Sequence, residues 1–328
     1  MKTLHTLAAA GIVAGLLLLA GCAAPSAPQA EPAHRGGFPL VLDNCGTEVT
    51  FRAPPERVIA IKSTSIEMML ALGVGERIAG VAYVDGPASP AWAPSADLPV
   101  ISDRVPGQEA ALQWEPDLIY AGWESAFSPD GVGDRAALAA LGVRTWVSPA
   151  ACQGPGARTA PLTWTDIWTE IETTGRIFDV ESEANRLVQS QKTRLATIEP
   201  DDRGLTALWY SSGSATPYVG GGTGGPQLVM DAVGLRNIAA EVPEAWTSLS
   251  WEAVVAADPD VIVLVDADWG SREKKIAQLE SNPATAALSA VREKRYLTIP
   301  FAASEAGVRS AEAVDLLADQ LDRIAVKR

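Results

Sequence analysis

The residues that most often carry enzymatic chemistry are scarce in this sequence. Its two histidines, His5 and His34, both precede any segment with the pattern of a folded domain. Ser-His-Asp and Cys-His catalytic sites, histidine-ligated zinc and histidine-ligated haem all need an imidazole inside the fold. We therefore predict no catalytic residues, no metal site and no cofactor.

One pair of acids is the remaining candidate for catalysis. Asp266 and Asp268 could divide the roles of general acid and general base in an exported hydrolase. No supporting motif surrounds the pair, so an enzyme is the least favoured alternative.

Composition excludes another large class of function. The 328 residues include 40 acidic and 26 basic ones, which gives a net charge of −14. Binding to nucleic acid needs a basic face, so nucleic acid is not an expected partner. Ten tryptophans, against five tyrosines and five phenylalanines, supply many large aromatic surfaces instead.

The N-terminal segment has the pattern of an export signal. Lys2 precedes an apolar run over residues 7–20, which is shorter than the ~20 residues that span a bilayer. The Leu-Ala-Gly-Cys sequence that ends at Cys22 resembles the bacterial lipobox, in which the cysteine is lipidated. This resemblance implies a signal peptide over 1–21 and a lipid anchor on the outer face of the cell membrane. The alternative is an ordinary cleavage site beside a bystander cysteine.

Two further segments fit an exported chain. Residues 22–37 are rich in Ala, Pro and Ser, which predicts a disordered tether. Cys45 and Cys152 form a disulfide on the favoured interpretation, because exported proteins encounter an oxidising environment. Two buried free thiols are the alternative.

The body of the chain contains an internal repeat. Residues 109–119 and 252–262 both read Glu, six residues, then Pro-Asp-aliphatic-Ile, which predicts a short helix, a proline stop and a strand. Residues 69–80 and 229–239 share a helix that ends at glycine, followed by a short strand. We predict two α/β lobes with parallel sheets, over 38–180 and 200–328. A single long rigid helix over 181–199 would join them.

This organisation resembles the substrate-binding lipoproteins of ABC importers, in the cobalamin and iron-siderophore class. The typical segments are residues 54–60, 71–73 and 115–119. More narrowly, residues 211–225, 246–252 and 304–309 resemble an actinobacterial branch thought to import a deazaflavin coenzyme precursor, F-420-0. The resemblance implies a monomer that binds a small-molecule ligand and delivers it to a permease dimer with ATPase subunits. A ferric siderophore or a corrinoid is the alternative ligand.

Ligands of open parallel sheets bind beyond the carboxyl ends of the strands, which selects candidate polar contacts. Lys62, Ser63 and Thr64 follow the first predicted strand of the first lobe, where Thr64 and Glu67 match a capping box. Arg309 precedes the final helix, and Arg104 lies in a loop. We expect these cations to bind an anionic ligand, with salt bridges to nearby acids as the alternative for Arg309.

Aromatic residues cluster near the same predicted strand ends, where they could stack on a flat ligand. The candidates are Tyr83, Trp123, Phe127, Trp209, Tyr210, Tyr218 and Trp269. Tyr218 also begins a glycine-rich segment that lacks the Gly-Lys-Ser/Thr ending of a phosphate-binding loop.

Two acids occupy equivalent places in the repeats. Glu109 and Glu252 each begin a predicted helix, where a negative charge is favoured by the helix dipole. The resemblance implies that each contacts an arginine of one permease subunit, so that two lobes meet a two-fold dimer.

Overall fold

The computed structural model describes residues 37–92 and 97–325. The predicted signal peptide, the lipidation site Cys22 and the predicted tether up to residue 36 lie outside the described residues. In the part of the chain that is described, no helix combines the length and the apolar character that crossing a membrane requires.

The first lobe is built around a five-stranded parallel sheet with the order β5-β4-β3-β6-β7. Its strands β3 and β6 are buried along their whole length because apolar clusters cover both faces of the sheet. A separate antiparallel hairpin, β1-β2, precedes it. The elements in chain order are β1 (Leu40–Asn44), β2 (Thr47–Phe51), β3 (Val58–Ile61), α1 (Ser63–Ala71), β4 (Ile78–Ala82), β5 (Val100–Ser102), α2 (Gln108–Leu112), β6 (Leu118–Ala121), α3 (Arg135–Ala140), β7 (Arg144–Val147), α4 (Trp164–Ile177) and α5 (Glu181–Leu195).

The second lobe repeats this arrangement and adds to it. Its elements are β8 (Thr206–Ser212), β9 (Tyr218–Gly220), α6 (Gly225–Ala232), β10 (Arg236–Asn237), β11 (Trp246–Ser248), α7 (Trp251–Ala257), β12 (Val261–Asp266), α8 (Arg272–Ser281), α9 (Pro283–Ala286), α10 (Ser289–Arg292), β13 (Tyr296–Pro300), α11 (Phe301–Ser304) and α12 (Ser310–Leu321). The parallel strands β10-β8-β12-β13 have the same order as β4-β3-β6-β7. The internal repeat of the sequence is therefore a repeat of structure.

The second sheet is mixed rather than wholly parallel, which corrects the prediction for that lobe. Strand β9 pairs antiparallel with the end of β8, and β11 pairs antiparallel with β9. The chain reverses at Gly213, whose φ of +85° favours glycine and whose Cβ would lie 2.1 Å from the carbonyl oxygen of Thr216. The α/β class with two lobes is confirmed.

Helix α5 connects the two lobes. Ala184 and Val188 pack into the first-lobe core, whereas Leu195 packs against the core of the second lobe. Its 15 residues span about 22 Å. The helix ends four residues before the predicted Glu199 because the chain tightens into i+3 bonded turns ahead of Pro200. The boundaries of the lobes, 38–180 and 200–328, stay predictions.

Candidate ligand-binding site

A cavity of about 480 Å³ lies between the lobes, beyond the carboxyl ends of the strands. The first lobe contributes Thr64, Trp123 and Ser148, which are the third, second and first residues after the ends of β3, β6 and β7. The second lobe contributes residues that follow β12 and β13, together with the segment around β9 and β11. Such a volume fits a small organic molecule.

Aromatic rings form much of the cavity wall. Tyr218 and Trp246 stack with ring centroids 5.9 Å apart and an interplanar angle of 13°. Phe301 makes edge contacts with Trp269 at 5.4 Å and with Trp123 at 6.0 Å. Tyr218 and Trp269 keep 40% and 42% of their surface exposed, which leaves ring faces free for a ligand. Trp123, Tyr218 and Trp269 were predicted from the sequence, whereas Trp246 and Phe301 were not.

The glycine-rich segment brings main chain to the cavity. Thr223, Gly224 and Gly225 line it at the start of α6. Gly222 packs so closely on the following loop that a Cβ would lie 1.9 Å from the carbonyl oxygen of Ala240. Glycine is therefore required here by close packing of two backbone segments.

The charged groups at the cavity are of both signs. Among the described lining residues, Arg158 carries the positive charge, and it bonds to Asp166 at 3.0 Å. Glu244 and Glu305 supply carboxyl groups. Burial raises the pKa of Glu305 to about 7, although the Trp123 indole N–H at 3.2 Å and the Lys62 charge oppose this shift. Sequence reasoning did not select these three residues as ligand contacts. Arg158 and Glu244 lie in loops without a motif, and Glu305, in the segment 304–309, was considered only as an ion-pair partner of Arg309.

A disulfide fixes one wall of the cavity. Cys45, at the tip of the β1-β2 hairpin, is bonded to Cys152, as predicted. Cys152, Gln153 and Arg158 belong to the same loop, and Cys152 itself lines the cavity. The bond therefore anchors this loop to the first lobe.

Lys62 and Ser63 lie behind the cavity wall rather than in it, which corrects their expected role. Lys62 is 1% exposed and forms a buried ion pair with Asp85. Burial lowers the pKa of its ammonium group, and Asp85 opposes the shift. The backbone N–H of Ser63 donates to Asp85 Oδ2 at 3.2 Å. Both side chains are occupied within the protein.

The predicted capping box is absent. Helix α1 begins at Ser63, so Thr64 lies inside its first turn and Lys62 holds the N-cap position without a side-chain cap. Glu67 instead accepts hydrogen bonds from the backbone N–H of Ser89 and from the Trp92 indole. Thr64 still lines the cavity.

Arg309 is also unavailable to a ligand. It is 3% exposed, and its guanidinium donates to Glu67 of the first lobe at 3.1 Å and to Glu312 at 2.6 Å. The salt-bridge alternative therefore describes its position. Arg104 is exposed in the loop after β5 and is not among the residues that line the cavity.

The remaining predicted aromatics are not among the residues that line the cavity. Trp209 and Tyr210 are at most 1% exposed because β8 is covered on both faces. Phe127 packs against the second apolar cluster of the first lobe and lies 5.7 Å from the Arg135 guanidinium carbon. Tyr83 does not line the cavity, but its ring contacts Trp123 edge-on at 5.9 Å.

The described residues contain no candidate metal site. No group of three or more Asp, Glu, His or Cys side chains in 37–92 and 97–325 could hold a metal ion. Asp266 accepts a hydrogen bond from the backbone N–H of Arg272 at 2.9 Å, and neither Asp266 nor Asp268 lines the cavity.

The two acids predicted to dock on the permease lie on the surface. Glu109 and Glu252 are exposed in the first turns of α2 and α7, one on each lobe.

The family follows from a comparison with known sequences. Residues 58–303 match the model of the family described as "Periplasmic binding protein", and the chain belongs to this family. The predicted class, substrate-binding proteins of the cobalamin and iron-siderophore type, is confirmed at this level. The comparisons do not single out the deazaflavin branch.

Individual relatives agree with this class. The chain is 24% identical to an uncharacterized ABC transporter substrate-binding lipoprotein, YvrC, of Bacillus subtilis, over 95% of this chain and 96% of that one. It is 27% identical to a cobalamin-binding protein of Halobacterium salinarum, over 74% of this chain and 64% of that protein. A structure described as an ABC-type Fe³⁺-hydroxamate transport system, from Saccharomonospora viridis, is 27% identical, with a TM-score of 0.75 over 87% of this chain and 99% of that chain.

Proposed function

We propose that the protein is a lipid-anchored, extracytoplasmic receptor of an ABC importer, without enzymatic activity. It captures a flat aromatic small molecule between its lobes and delivers it to a permease dimer with ATPase subunits. The observation that carries this proposal is the cavity between the lobes, whose stacked and edge-packed rings come from both sides. The anchor would be Cys22, and the working form a monomer.

The deazaflavin precursor F-420-0 is the first ligand to test. Its ring system matches the aromatic walls, and Arg158 with the backbone at the start of α6 provides donors for its anionic groups. The charge of the cavity also supports a second candidate. Glu244 and Glu305 disfavour a strongly anionic ligand, and a corrinoid such as cyanocobalamin carries no net charge. Ferric hydroxamates are the third candidate.

Isothermal titration calorimetry with F-420-0, cyanocobalamin and a ferric hydroxamate tests the proposal. We expect F-420-0 to bind with one-to-one stoichiometry. Binding of cyanocobalamin or of the ferric hydroxamate instead would keep the receptor assignment and overturn the flat aromatic ligand. Trp246→Ala removes a stacked ring and should weaken binding roughly tenfold or more, about 1.4 kcal/mol. Trp168→Ala, on α4 and outside the cavity, is the matched control and should bind like the wild type. The assignment would be contradicted if none of the three ligands gave a binding signal, or if Trp246→Ala and Trp168→Ala bound the ligand with equal affinity.

For docking, we propose that Glu109 and Glu252 each meet a basic residue of one permease subunit. Their exposure and their equivalent positions on separate lobes support this role. Glu109→Lys combined with Glu252→Lys should abolish uptake by cells that carry the importer while ligand affinity is retained. Glu172→Lys with Glu280→Lys reverses one exposed helical acid on α4 and one on α8, and should leave uptake intact. Normal uptake by cells that carry the Glu109→Lys and Glu252→Lys variant would exclude docking through these acids.

A further inference from the structure

The side chain of Lys62 lies where the two lobes meet. Its Nζ is 3.9 Å from the ring centroids of Tyr83 and Trp123, both in the first lobe. The ring of Phe301, in the second lobe, is 4.5 Å away. A cation attracts the faces of aromatic rings at these distances, and the attraction strengthens when water is excluded. One buried charge therefore attracts rings of both lobes.

Asp85, the ion-pair partner of Lys62, also contacts the second lobe. Its Oδ1 accepts the indole N–H of Trp269 at 3.0 Å, and its backbone carbonyl accepts the N–H of Asp268 at 2.9 Å. Its own N–H donates to Ser63 Oγ at 2.8 Å, which ties it to the start of α1. The carboxylate is 1% exposed, so each of these contacts is shielded from solvent.

The backbone around Lys62 is arranged to direct this side chain inward. Lys62 has a φ of +79° and Tyr83 a φ of +52°, conformations that side-chain-bearing residues rarely adopt. Gly122, after β6, passes so close that a Cβ there would lie 2.9 Å from Cβ of Lys62. Unfavourable backbone of this kind persists when the surrounding contacts require it, and it concentrates at functional positions.

We propose that Lys62 is a positioning residue that fixes the separation of the lobes at the base of the cavity. Lys62 and Asp85, with Trp123, Trp269 and Phe301, form what we call the Lys62 anchor. Three of its five members line the cavity. The anchor therefore holds the rings in place before a ligand arrives. Arg309 and Glu67 bridge the lobes at a second point, which does not hold these rings.

Distance measurements between the lobes test the anchor independently of any ligand. Spin labels on cysteines that replace Leu141 and Val255, exposed on the first and second lobes, report the separation by double electron–electron resonance. Wild type should give a single narrow distance distribution. Lys62→Met should give a distribution about twofold wider or shifted, because released lobes populate more than one arrangement. Lys192→Met, which removes a cation 4.6 Å from the Trp168 ring, is the matched control and should not change the distribution.

A second variant keeps the proposal testable if Lys62→Met does not fold. Phe301→Leu removes the second-lobe ring from the cation and keeps both charges, and it should broaden the distribution as Lys62→Met does. A folded Lys62→Met protein with the wild-type distribution would overturn the proposal, even with a lower melting temperature, because Lys62 would then serve local stability alone. Should Lys62→Met not fold, an unchanged distribution in Phe301→Leu would overturn it.

Discussion

At the scale of single residues, two of the three cations expected to meet a ligand, Lys62 and Arg309, instead form buried ion pairs. Arg309 is bonded to Glu67, which lies 242 residues earlier in the chain. Local sequence shows Glu305 and Glu312 as partners but cannot show Glu67. Lys62 likewise finds Asp85 only through the packing of β3 against β4.

This pairing predicts a large cost for removing Arg309. In Arg309→Met, Glu67 stays buried without its counter-charge, which typically costs about 3–5 kcal/mol of the free energy of unfolding. Arg194→Met breaks the partly exposed pair with Asp315 and should cost about 0–1 kcal/mol. Urea denaturation of both variants measures the loss of unfolding free energy. Equal losses in the two variants would contradict the claim that burial makes the Arg309 ion pair more important for stability.

Glu170 is a buried acid that no motif or spacing in the sequence singles out. It is 4% exposed on α4, and burial raises its pKa from 4.5 to about 7. A raised pKa means that the folded protein favours the neutral form. Its contribution to stability is therefore complete below pH 4.5 and is lost as the pH rises through about 7.

We predict that Glu170→Gln becomes more stable relative to wild type between pH 5 and pH 8. The expected gain over this interval is on the order of 2–3 kcal/mol. Unfolding free energies from denaturant titrations at the two pH values measure it. Glu172→Gln, exposed two residues away on the same helix, should give a difference that does not depend on pH in this way. A pH-independent difference for Glu170→Gln would contradict the assignment.

At the scale of elements, the repeated sequence patterns predicted helices and strands correctly, whereas short strands outside the repeats were not predicted. The two Glu-to-Pro-Asp repeats gave α2, β6, α7 and β12 at the right places, because a proline stop before a β-branched run is a strong local signal. Strands β9 and β11, of three residues each, were missed because such short segments leave no period to detect. Trp209 and Tyr210 were misplaced because a strand that is covered on both faces carries aromatics at successive positions.

The disulfide between Cys45 and Cys152 should make a large contribution to the free energy of unfolding. It closes a separation of 107 residues, for which the chain-entropy model gives about 4–5 kcal/mol. Cys45→Ser combined with Cys152→Ser should lower the free energy of unfolding by an amount of this order, measured by urea denaturation. Reductant should destabilise the wild type and have no effect on the double variant. An unchanged unfolding midpoint in the double variant would contradict a stabilising role.

At the scale of the whole molecule, the duplicated lobes explain where the site lies. Each lobe places loops and helix starts beyond the carboxyl ends of its strands, and α5 sets the two lobes so that these ends share one cavity. The sequence predicted this arrangement and the aromatic character of the site. It could not predict the cavity's acids or the contacts across it, because those depend on loops from both lobes.

Native mass spectrometry of the protein purified from the envelope of its own cells tests the central claim most directly. The account predicts that the protein carries one flat aromatic small molecule per chain. The variant with both Tyr218→Ala and Trp246→Ala should lose this molecule, and Trp168→Ala should retain it. A molecule that remains equally bound in the double cavity variant, or wild-type protein that carries none and takes up none from a cell extract, would contradict capture between the lobes.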